Sequence, residues 1–238
     1  ILCEPMLFYP LKALSECGSI PIGVVVGHGK EDVCTYLKDK WPQITIIEQE
    51  LQRGTGDAVK ISSSFWEDFD HLLILPGDVP LITSDTIKRL MDLHLERRSS
   101  LTFISFNASN PSGYGRVIRS DGEIRIVEEK DASVEELSVR EVNSGIYAFS
   151  TAALMRHIDE LSCENSQKEY YLTDLIEIFQ RRNQQVDVML ADGEDEFLGV
   201  NDPLQLARVT TLLKTLLVRR HMERGVKCAD PESTWIGP

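Results

Sequence analysis

The 238-residue chain has little positive charge: 25 lysines and arginines stand against 38 aspartates and glutamates, and the formal net charge is −13. No basic stripe is present, which argues against a nucleic-acid partner. The acidic balance does not exclude a small phosphorylated substrate, because a metal ion and a few local cations can offset the charge at one site.

Cysteines are few and lack the spacing of a metal site or a disulfide framework. The five of them are scattered and odd in number, and no C-x-x-C pair occurs, which is typical of reduced thiols in a cytosolic protein. No apolar run approaches the ~20 residues that span a bilayer, and no signal peptide is visible. We therefore expect a cytoplasmic protein without a membrane partner.

The apolar fraction, by contrast, is sufficient for a packed core. Hydrophobic residues make up 42% of the chain and charged residues 26%, as in ordinary globular proteins. In the first half, β-branched runs alternate with helical patterns, which predicts an α/β fold with a Rossmann-like, doubly wound, mostly parallel sheet. The expected strands are Pro21–Val26, Ile44–Ile47, His71–Leu75 and Ser100–Phe106. The expected helices are Met6–Glu16, Glu31–Lys40, one carrying Ala58, Ile61 and Phe65, and one capped by Ser84 that runs to about Arg97 with Ile87, Leu90, Met91 and Leu95 inward.

The pattern changes after the fourth strand. A glycine-rich loop precedes two short strands around Asp121-Gly122, a strong hairpin turn signal that predicts a small hairpin-based lobe. The longest helix is expected to begin at Asp202-Pro203 and to stop at Gly225. The remaining expected elements are the hairpin strands Val117–Arg119 and Glu123–Val127, the strands Glu141–Ser150 and Val186–Leu190, and the helices Leu154–Leu161 and Tyr170–Arg181.

Asp78 stands directly after an apolar run that predicts a strand buried on both faces. Open α/β sheets bind ligands at the carboxyl ends of such strands. A carboxylate there can hold a hard cation, and the cation can hold phosphates. The competing interpretation is that Asp78 only caps a turn.

A second candidate site begins at Gln49, where a predicted strand gives way to a glycine-bearing turn and then a helix. Glycines let the backbone approach a ligand, and the helix start offers free N–H groups. Gln49 and Gln52 carry amides that donate and accept, as the edge of a planar base requires. Turns that bind no ligand share this pattern. His28, which stands between two glycines, is likewise better explained as a turn residue than as a ligand.

Several motifs, in this order and spacing, resemble one family. They are Gln49-x-x-Gln52-x-Gly54-Thr55-Gly56-x-Ala58, Gly77-Asp78-Val79-Pro80-Leu81, Gly113-Tyr114-Gly115-Arg116, Val127-Glu128-Glu129-Lys130-Asp131-Ala132, Glu141-Val142-Asn143-Ser144-Gly145, Glu169-Tyr170-Tyr171-Leu172-Thr173-Asp174 and Gly199-Val200-Asn201. Together they resemble the uridyltransferase domain of the bacterial bifunctional N-acetylglucosamine-1-phosphate uridyltransferase/glucosamine-1-phosphate acetyltransferase. The resemblance covers essentially the whole chain.

The resemblance implies a reaction of UTP with N-acetylglucosamine 1-phosphate that gives UDP-N-acetylglucosamine, a precursor of cell-wall polymers, and pyrophosphate. It also implies Mg²⁺ as cofactor. Asp78 and Asn201 are then the catalytic, metal-binding pair, and Asn201 also binds substrate. By matching position, the uracil is assigned to Gln49, Gln52, Gly54 and Thr55, and the N-acetylglucosamine to Gly115, Glu128 and Asn143.

Two departures from the family lead to expectations about the ends of the chain. The family's first strand and glycine-rich loop are not seen, so the strands holding Val24–Val26 and Leu72–Leu75 are expected to flank a gap or an edge. Residues 1–225 are expected to form the nucleotidyltransferase domain and 226–238 a linker towards an absent β-helix domain. A homo-oligomer is left open, and a trimer is expected only if that domain follows.

Two other functions stay open on the sequence. One is a sugar-1-phosphate nucleotidyltransferase with a different base or sugar. The other is a non-catalytic module that binds nucleotide sugars, which the missing loop makes worth testing. Turnover of UTP separates an enzyme from a binding module.

Overall fold

The computed structural model describes residues 1–120 and 122–238. Asp121, part of the predicted hairpin turn, lies outside the described residues. The strands are β1 (Gly23–Val26), β2 (Thr45–Glu48), β3 (His71–Ile74), β4 (Leu101–Asn107), β5 (Arg116–Ser120), β6 (Glu123–Val127), β7 (Glu141–Ser150) and β8 (Val186–Leu190). The α-helices are α1 (Phe8–Ser15), α2 (Lys30–Lys40), α3 (Thr55–Ile61), α4 (Ser63–Trp66), α5 (Ser84–Arg97), α6 (Val134–Leu137), α7 (Thr151–His157), α8 (Asp174–Arg181) and α9 (Pro203–Glu223).

The chain divides into two compact units. The first, which we call the helical unit, consists of Ile1–Gly18, Leu75–Arg89 and Asp192–Pro238. The second, the sheet unit, consists of Ser19–Ile74 and Leu90–Ala191 and contains all the strands listed above. Each unit therefore draws on stretches that are far apart in the sequence.

The strands of the sheet unit confirm the predicted α/β class. Strands β1 and β2 pair in parallel, and β4 and β8 do the same. Strand β7 pairs antiparallel with both β3 and β4, so β3, β4 and β8 run in one direction and β7 is the reversed strand among them. The predicted hairpin is present as β5 and β6, and it joins β7 through the pairing of Arg116 with Val142.

Strand β3 was expected to be buried on both faces, and this expectation is wrong. It has an exposed His71 followed by half-buried residues, and Val25 in β1 is 37% exposed. Within the described residues, β1 pairs with β2 and β3 pairs with β7. Strands β1 and β3 do not pair with each other. Each strand therefore has an unpaired side, as expected for strands that flank an edge. Strand β4, with neighbours on both sides, is buried along almost its whole length.

Helix boundaries differ from the sequence prediction at a few places. The helix after Gly54 stops at Ile61, and α4 follows as a separate turn. Helix α8 begins at Asp174 instead of Tyr170, and α7 passes into a 3-10 turn, Ile158–Glu160. In α5, Leu95 is 47% exposed, and it is His94 that is fully buried.

Each unit has its own apolar core. The core of the sheet unit is formed where α7 and α8 pack on the central strands, and its fully buried members include Leu101, Phe103, Phe149, Leu175 and Phe179. The core of the helical unit contains Tyr9, Leu81, Leu198, Val209 and Leu213. Asp202 caps α9 as predicted, because its carboxylate accepts a hydrogen bond from the Gln205 N–H at 2.8 Å.

Two further findings bear on the composition. The five cysteines are free thiols. Across the described residues, the helices are either too short or too polar to traverse a bilayer.

Candidate active site

A cavity of about 400 Å³ in the sheet unit brings together residues that the sequence assigned to two different ligands. Gln49, Gln52, Gly54 and Thr55 line one part of it, and Glu128 lines another. The remaining lining residues are Ala58, Gln167, Glu169 and Tyr171. The cavity therefore joins the predicted base-binding turn to a predicted sugar-binding carboxylate.

The base-binding turn is held by its own side-chain amides. Gln49 follows β2, and its Nε2 donates to Asp57 Oδ2 at 2.8 Å and to the Gly54 carbonyl at 3.3 Å. Gln52 Nε2 donates to the Gln49 carbonyl at 3.1 Å. Because both donor hydrogens of the Gln49 amide are engaged, a base would be read by the Gln49 amide oxygen or after the amide rotates.

The glycines of this turn have a structural role that the sequence did not reveal. Gly54 has φ +100°, and a Cβ there would lie 2.6 Å from the Tyr170 carbonyl oxygen. A Cβ on Gly56 would lie 3.0 Å from the same oxygen, which also accepts the Gly56 N–H at 2.8 Å. The glycines thus allow the turn to pack against the segment that contains Tyr170.

The three predicted sugar-binding residues lie together near the hairpin. A Cβ on Gly115 would be 3.3 Å from the Glu128 carboxylate, and the Gly115 carbonyl accepts the Asn143 N–H at 2.9 Å. Thr173 Oγ1 donates to Glu128 Oε1 at 3.1 Å. Burial raises the pKa of Glu128, and the Thr173 hydrogen bond opposes that shift. Asn143 Nδ2 donates to the buried Tyr147 hydroxyl at 2.5 Å.

The two predicted metal ligands lie in the helical unit. The Val200 N–H donates to the Asp78 carbonyl at 3.0 Å, which joins the stretch of Asn201 to that of Asp78. Asp78 Oδ2 and Asn201 Nδ2 each lie 3.6 Å from the position that a Cβ on Gly199 would occupy. Burial raises the pKa of Asp78, since desolvation disfavours the charged carboxylate.

This donor set fits Mg²⁺. A carboxylate and an amide that can turn its oxygen inward supply hard ligands, and Mg²⁺ ordinarily takes one or two protein ligands and completes its shell with water and substrate phosphates. Among the described residues, no group of three or more His, Cys, Asp or Glu side chains is placed to hold a metal ion.

Sequence reasoning gave no role to Gln167, Glu169 or Tyr171, which also line the cavity. Gln167 Nε2 donates to the Tyr171 hydroxyl at 2.8 Å, and that hydroxyl donates to Asp131 Oδ2 at 3.3 Å. The Glu169–Asp174 motif was the available signal for Glu169 and Tyr171. Gln167 stands outside any motif, so only the folded arrangement reveals it.

Comparison with known proteins identifies the class. A family model described as nucleotidyl transferase matches residues 1–197, and the chain belongs to this family.

Among solved structures, similar folds include a Bacillus anthracis protein assigned as a glucose-1-phosphate thymidylyltransferase. The two have a TM-score of 0.67 and 16% identity, and the match covers 96% of this chain and 86% of that one. HddC from Yersinia pseudotuberculosis is similar as well (TM-score 0.64, 16% identity, 88% and 85%). These likenesses support the predicted Rossmann-like fold.

Particular relatives are closer in sequence. The chain is 41% identical over 238 residues to the bifunctional protein GlmU of Fervidobacterium nodosum. The matched region covers 100% of this chain and 51% of that relative. It is 40% identical over 235 residues to the bifunctional protein GlmU of Caldanaerobacter subterraneus subsp. tengcongensis, with 98% and 50% covered. The chain spans about half the length of the curated relatives it matches.

Proposed function

We propose that the protein transfers a uridylyl group from UTP to N-acetylglucosamine 1-phosphate, which gives UDP-N-acetylglucosamine and pyrophosphate. The observation that carries the proposal is the single cavity shared by Gln49, Gln52, Thr55 and Glu128. Such a cavity suits a ligand with a planar base at one end and a sugar at the other. The identity of 41% to a bifunctional GlmU along the whole chain supports the same function.

The chemistry is an in-line displacement at phosphorus. An oxygen of the sugar phosphate attacks the α-phosphorus of UTP, the bond from that phosphorus to the oxygen bridging the β-phosphate breaks, and pyrophosphate leaves. No protein nucleophile is required, so the side chains contribute by positioning and by stabilising charge. We place the sugar hydroxyls against the Glu128 carboxylate and the acetamido group against Asn143.

The phosphates carry negative charge that an acidic protein must offset. Asp78 and Asn201 would hold a Mg²⁺ ion, which when bound supplies charge neutralisation at the phosphate oxygens. The side chains of the cavity have a separate task, because they orient the base and the sugar so that the reacting oxygen lies behind the α-phosphorus.

The test is pyrophosphate release by the complete protein. UTP with N-acetylglucosamine 1-phosphate and Mg²⁺ should give turnover, while CTP, ATP or glucose 1-phosphate as single replacements should give much less. Turnover with another base or sugar instead would indicate a different sugar-1-phosphate nucleotidyltransferase. Binding of UDP-N-acetylglucosamine without turnover of any pair would indicate a binding module.

We also propose the setting in which the protein acts. Its product would serve as a precursor of peptidoglycan and lipopolysaccharide, and its substrates are small cytoplasmic metabolites. Purification of the complete protein from the soluble and membrane fractions of its host would test this placement.

A further inference from the structure

Arg116 is a buried cation beside the candidate sugar site. Its side chain is 2% exposed, whereas Arg119 on the same strand and Arg125 on the neighbouring strand are 47% and 44% exposed. A buried guanidinium is costly unless its hydrogen bonds are satisfied, and removal of a partner leaves an uncompensated charge. The contacts that Arg116 makes are therefore the first indication of its role.

Those contacts enclose the glycine turn that precedes β5. Arg116 Nη1 donates to the Tyr114 carbonyl, and Nη2 donates to Glu129 Oε1 at 3.2 Å. The other carboxylate oxygen, Glu129 Oε2, accepts the Gly113 N–H at 2.9 Å. Arg116 and Glu129 thus bond to each other and to two backbone groups of the turn, the Tyr114 carbonyl and the Gly113 N–H. Arg116 Nε is buried and has no hydrogen-bond partner within the described residues.

The turn contains Gly115, one of the three predicted sugar-binding residues, and lies next to the other two, Glu128 and Asn143. A Cβ at Gly115 would lie 3.3 Å from Glu128 Oε2, so the backbone of the turn is close to that carboxylate. The Gly115 carbonyl accepts the Asn143 N–H at 2.9 Å. Glu128 is also the chain neighbour of Glu129. A shift of the turn would consequently move the surroundings of Glu128 and Asn143 together.

We propose that Arg116 and Glu129 are positioning residues that fix the Gly113–Gly115 turn for recognition of the sugar phosphate. This inference rests on the proposed function, and it assigns to the pair no contact with the substrate. Because the pair acts on the sugar side of the cavity, its loss should affect the sugar phosphate and spare UTP.

The experiment uses Glu129→Ala and Glu129→Gln in the complete protein, with initial rates measured against each substrate in turn. Glu129→Ala should raise KM for N-acetylglucosamine 1-phosphate about 10-fold or more, since small displacements of substrate-positioning groups have effects of this size. Glu129→Gln keeps an acceptor for the Gly113 N–H and should recover part of that loss. KM for UTP should stay within about twofold for both, because the base-binding turn is untouched.

Arg125→Ala is the matched control, since it removes an arginine and its ion pair with Glu136 from the same hairpin. It should leave KM for the sugar phosphate within about twofold. Equal changes in both KM values for Glu129→Ala, or none, with an active wild-type protein, would overturn the positioning role alone. A wild-type protein that turns over no sugar phosphate would overturn the proposed function and this role with it.

Discussion

The two units support their candidate site residues in different ways. In the sheet unit, Gly115, Glu128 and Asn143 lie on or beside neighbouring paired strands, and side-chain hydrogen bonds hold Glu128 and Asn143. In the helical unit, Asp78 and Asn201 lie on loops joined by the Val200 N–H to Asp78 carbonyl bond. A paired sheet fixes several ligands at once, whereas loop ligands depend on local bonds. We therefore expect substitutions to affect stability more in the sheet unit and chemistry more in the helical unit.

The largest effect is expected from Asp78→Ala in the helical unit. Loss of the carboxylate should lower kcat by about 10²–10³-fold, comparable to removal of one electrostatic stabiliser of a transition state. The melting temperature should change little, because Asp78 is half-buried and contributes no apolar packing. Steady-state rates at saturating Mg²⁺, together with thermal unfolding, measure both quantities.

Asp85→Ala is the control for charge in the same unit. Asp85 is an exposed carboxylate in the first turn of α5, and its removal should leave kcat within about twofold. Near-normal turnover of the Asp78 variant would exclude the carboxylate from the site.

A second effect should appear in the sheet unit as pH-dependent stability. His94 is fully buried; its Nδ1 lies 2.9 Å from Thr102 Oγ1 and its Nε2 3.1 Å from His71 Nδ1. Burial lowers the pKa of His94 from the usual 6.5 to about 4, helped by the charge of His71 and opposed by that of Asp187. The unfolded chain then binds the proton first, so the contribution of neutral His94 to stability is full above pH 6.5 and is lost as the pH drops towards 4.

The size of this loss follows from the shift in pKa, at about 1.4 kcal/mol per unit, and reaches roughly 3 kcal/mol near pH 4. His94→Gln cannot titrate and can still hydrogen bond, so its free energy of unfolding should vary less between pH 7 and 4 than that of the wild type. His28→Gln removes an exposed histidine and should leave the wild-type dependence intact. Parallel pH profiles for the His94 variant and the wild type would assign the acid sensitivity to other groups.

His94 also shows where sequence reasoning reached its limit. A helical pattern predicted a helix capped by Ser84 and running to about Arg97, and α5 begins one residue earlier, at Ser84 itself, and ends at Arg97. The same pattern placed Leu95 inward. Hydrophobicity alone could not show that the hydroxyl of Thr102 and the ring of His71 provide partners for a buried imidazole at position 94. A polar group is tolerated in a core when hydrogen-bond partners satisfy it, and the partners of His94 lie on β3 and β4, outside its own helix.

The strands and the site show the same division. Local patterns predicted β7 and β8 with their observed bounds, Glu141–Ser150 and Val186–Leu190, because a run of β-branched and aromatic residues suffices. The apolar run of His71–Leu75 suggested burial on both faces, but burial depends on which other elements pack on those faces, and the sequence of one strand does not show them. Gln167 was not predicted for the same reason, because only the folded chain brings it beside the other residues that line the cavity.

Within the sheet unit, Asn143→Ala tests whether the hydrogen-bonded residues serve the sugar. One lost hydrogen bond costs about 0.5–1.5 kcal/mol, so KM for N-acetylglucosamine 1-phosphate should rise roughly 2–10-fold while KM for UTP stays constant. Asn107→Ala, at the exposed end of β4, is the control for loss of an amide. Equal weakening of both substrates would mean that Asn143 serves the fold through its bond to Tyr147.

The smallest effect is expected at the end of the helical unit, where residues 226–238 were predicted to form a linker. Lys214 of α9 donates to the Glu232 carbonyl, and its Nζ lies 4.9 Å from the centre of the Trp235 ring. We propose that these contacts hold the segment against α9. Trp235 is 61% exposed, so the cation–π contact contributes about 0.5–1 kcal/mol.

Trp235→Ala should therefore increase opening of the segment about 2–5-fold. Tryptic cleavage after Lys227, an exposed residue, should accelerate by the same factor when opening precedes cleavage. Trp235→Phe retains an aromatic face for Lys214 and should be cleaved at nearly the wild-type rate. Equal cleavage rates for both variants and the wild type would mean that the ring does not hold the segment. The hydrogen bond from Lys214 to the Glu232 carbonyl would then be the contact that holds it.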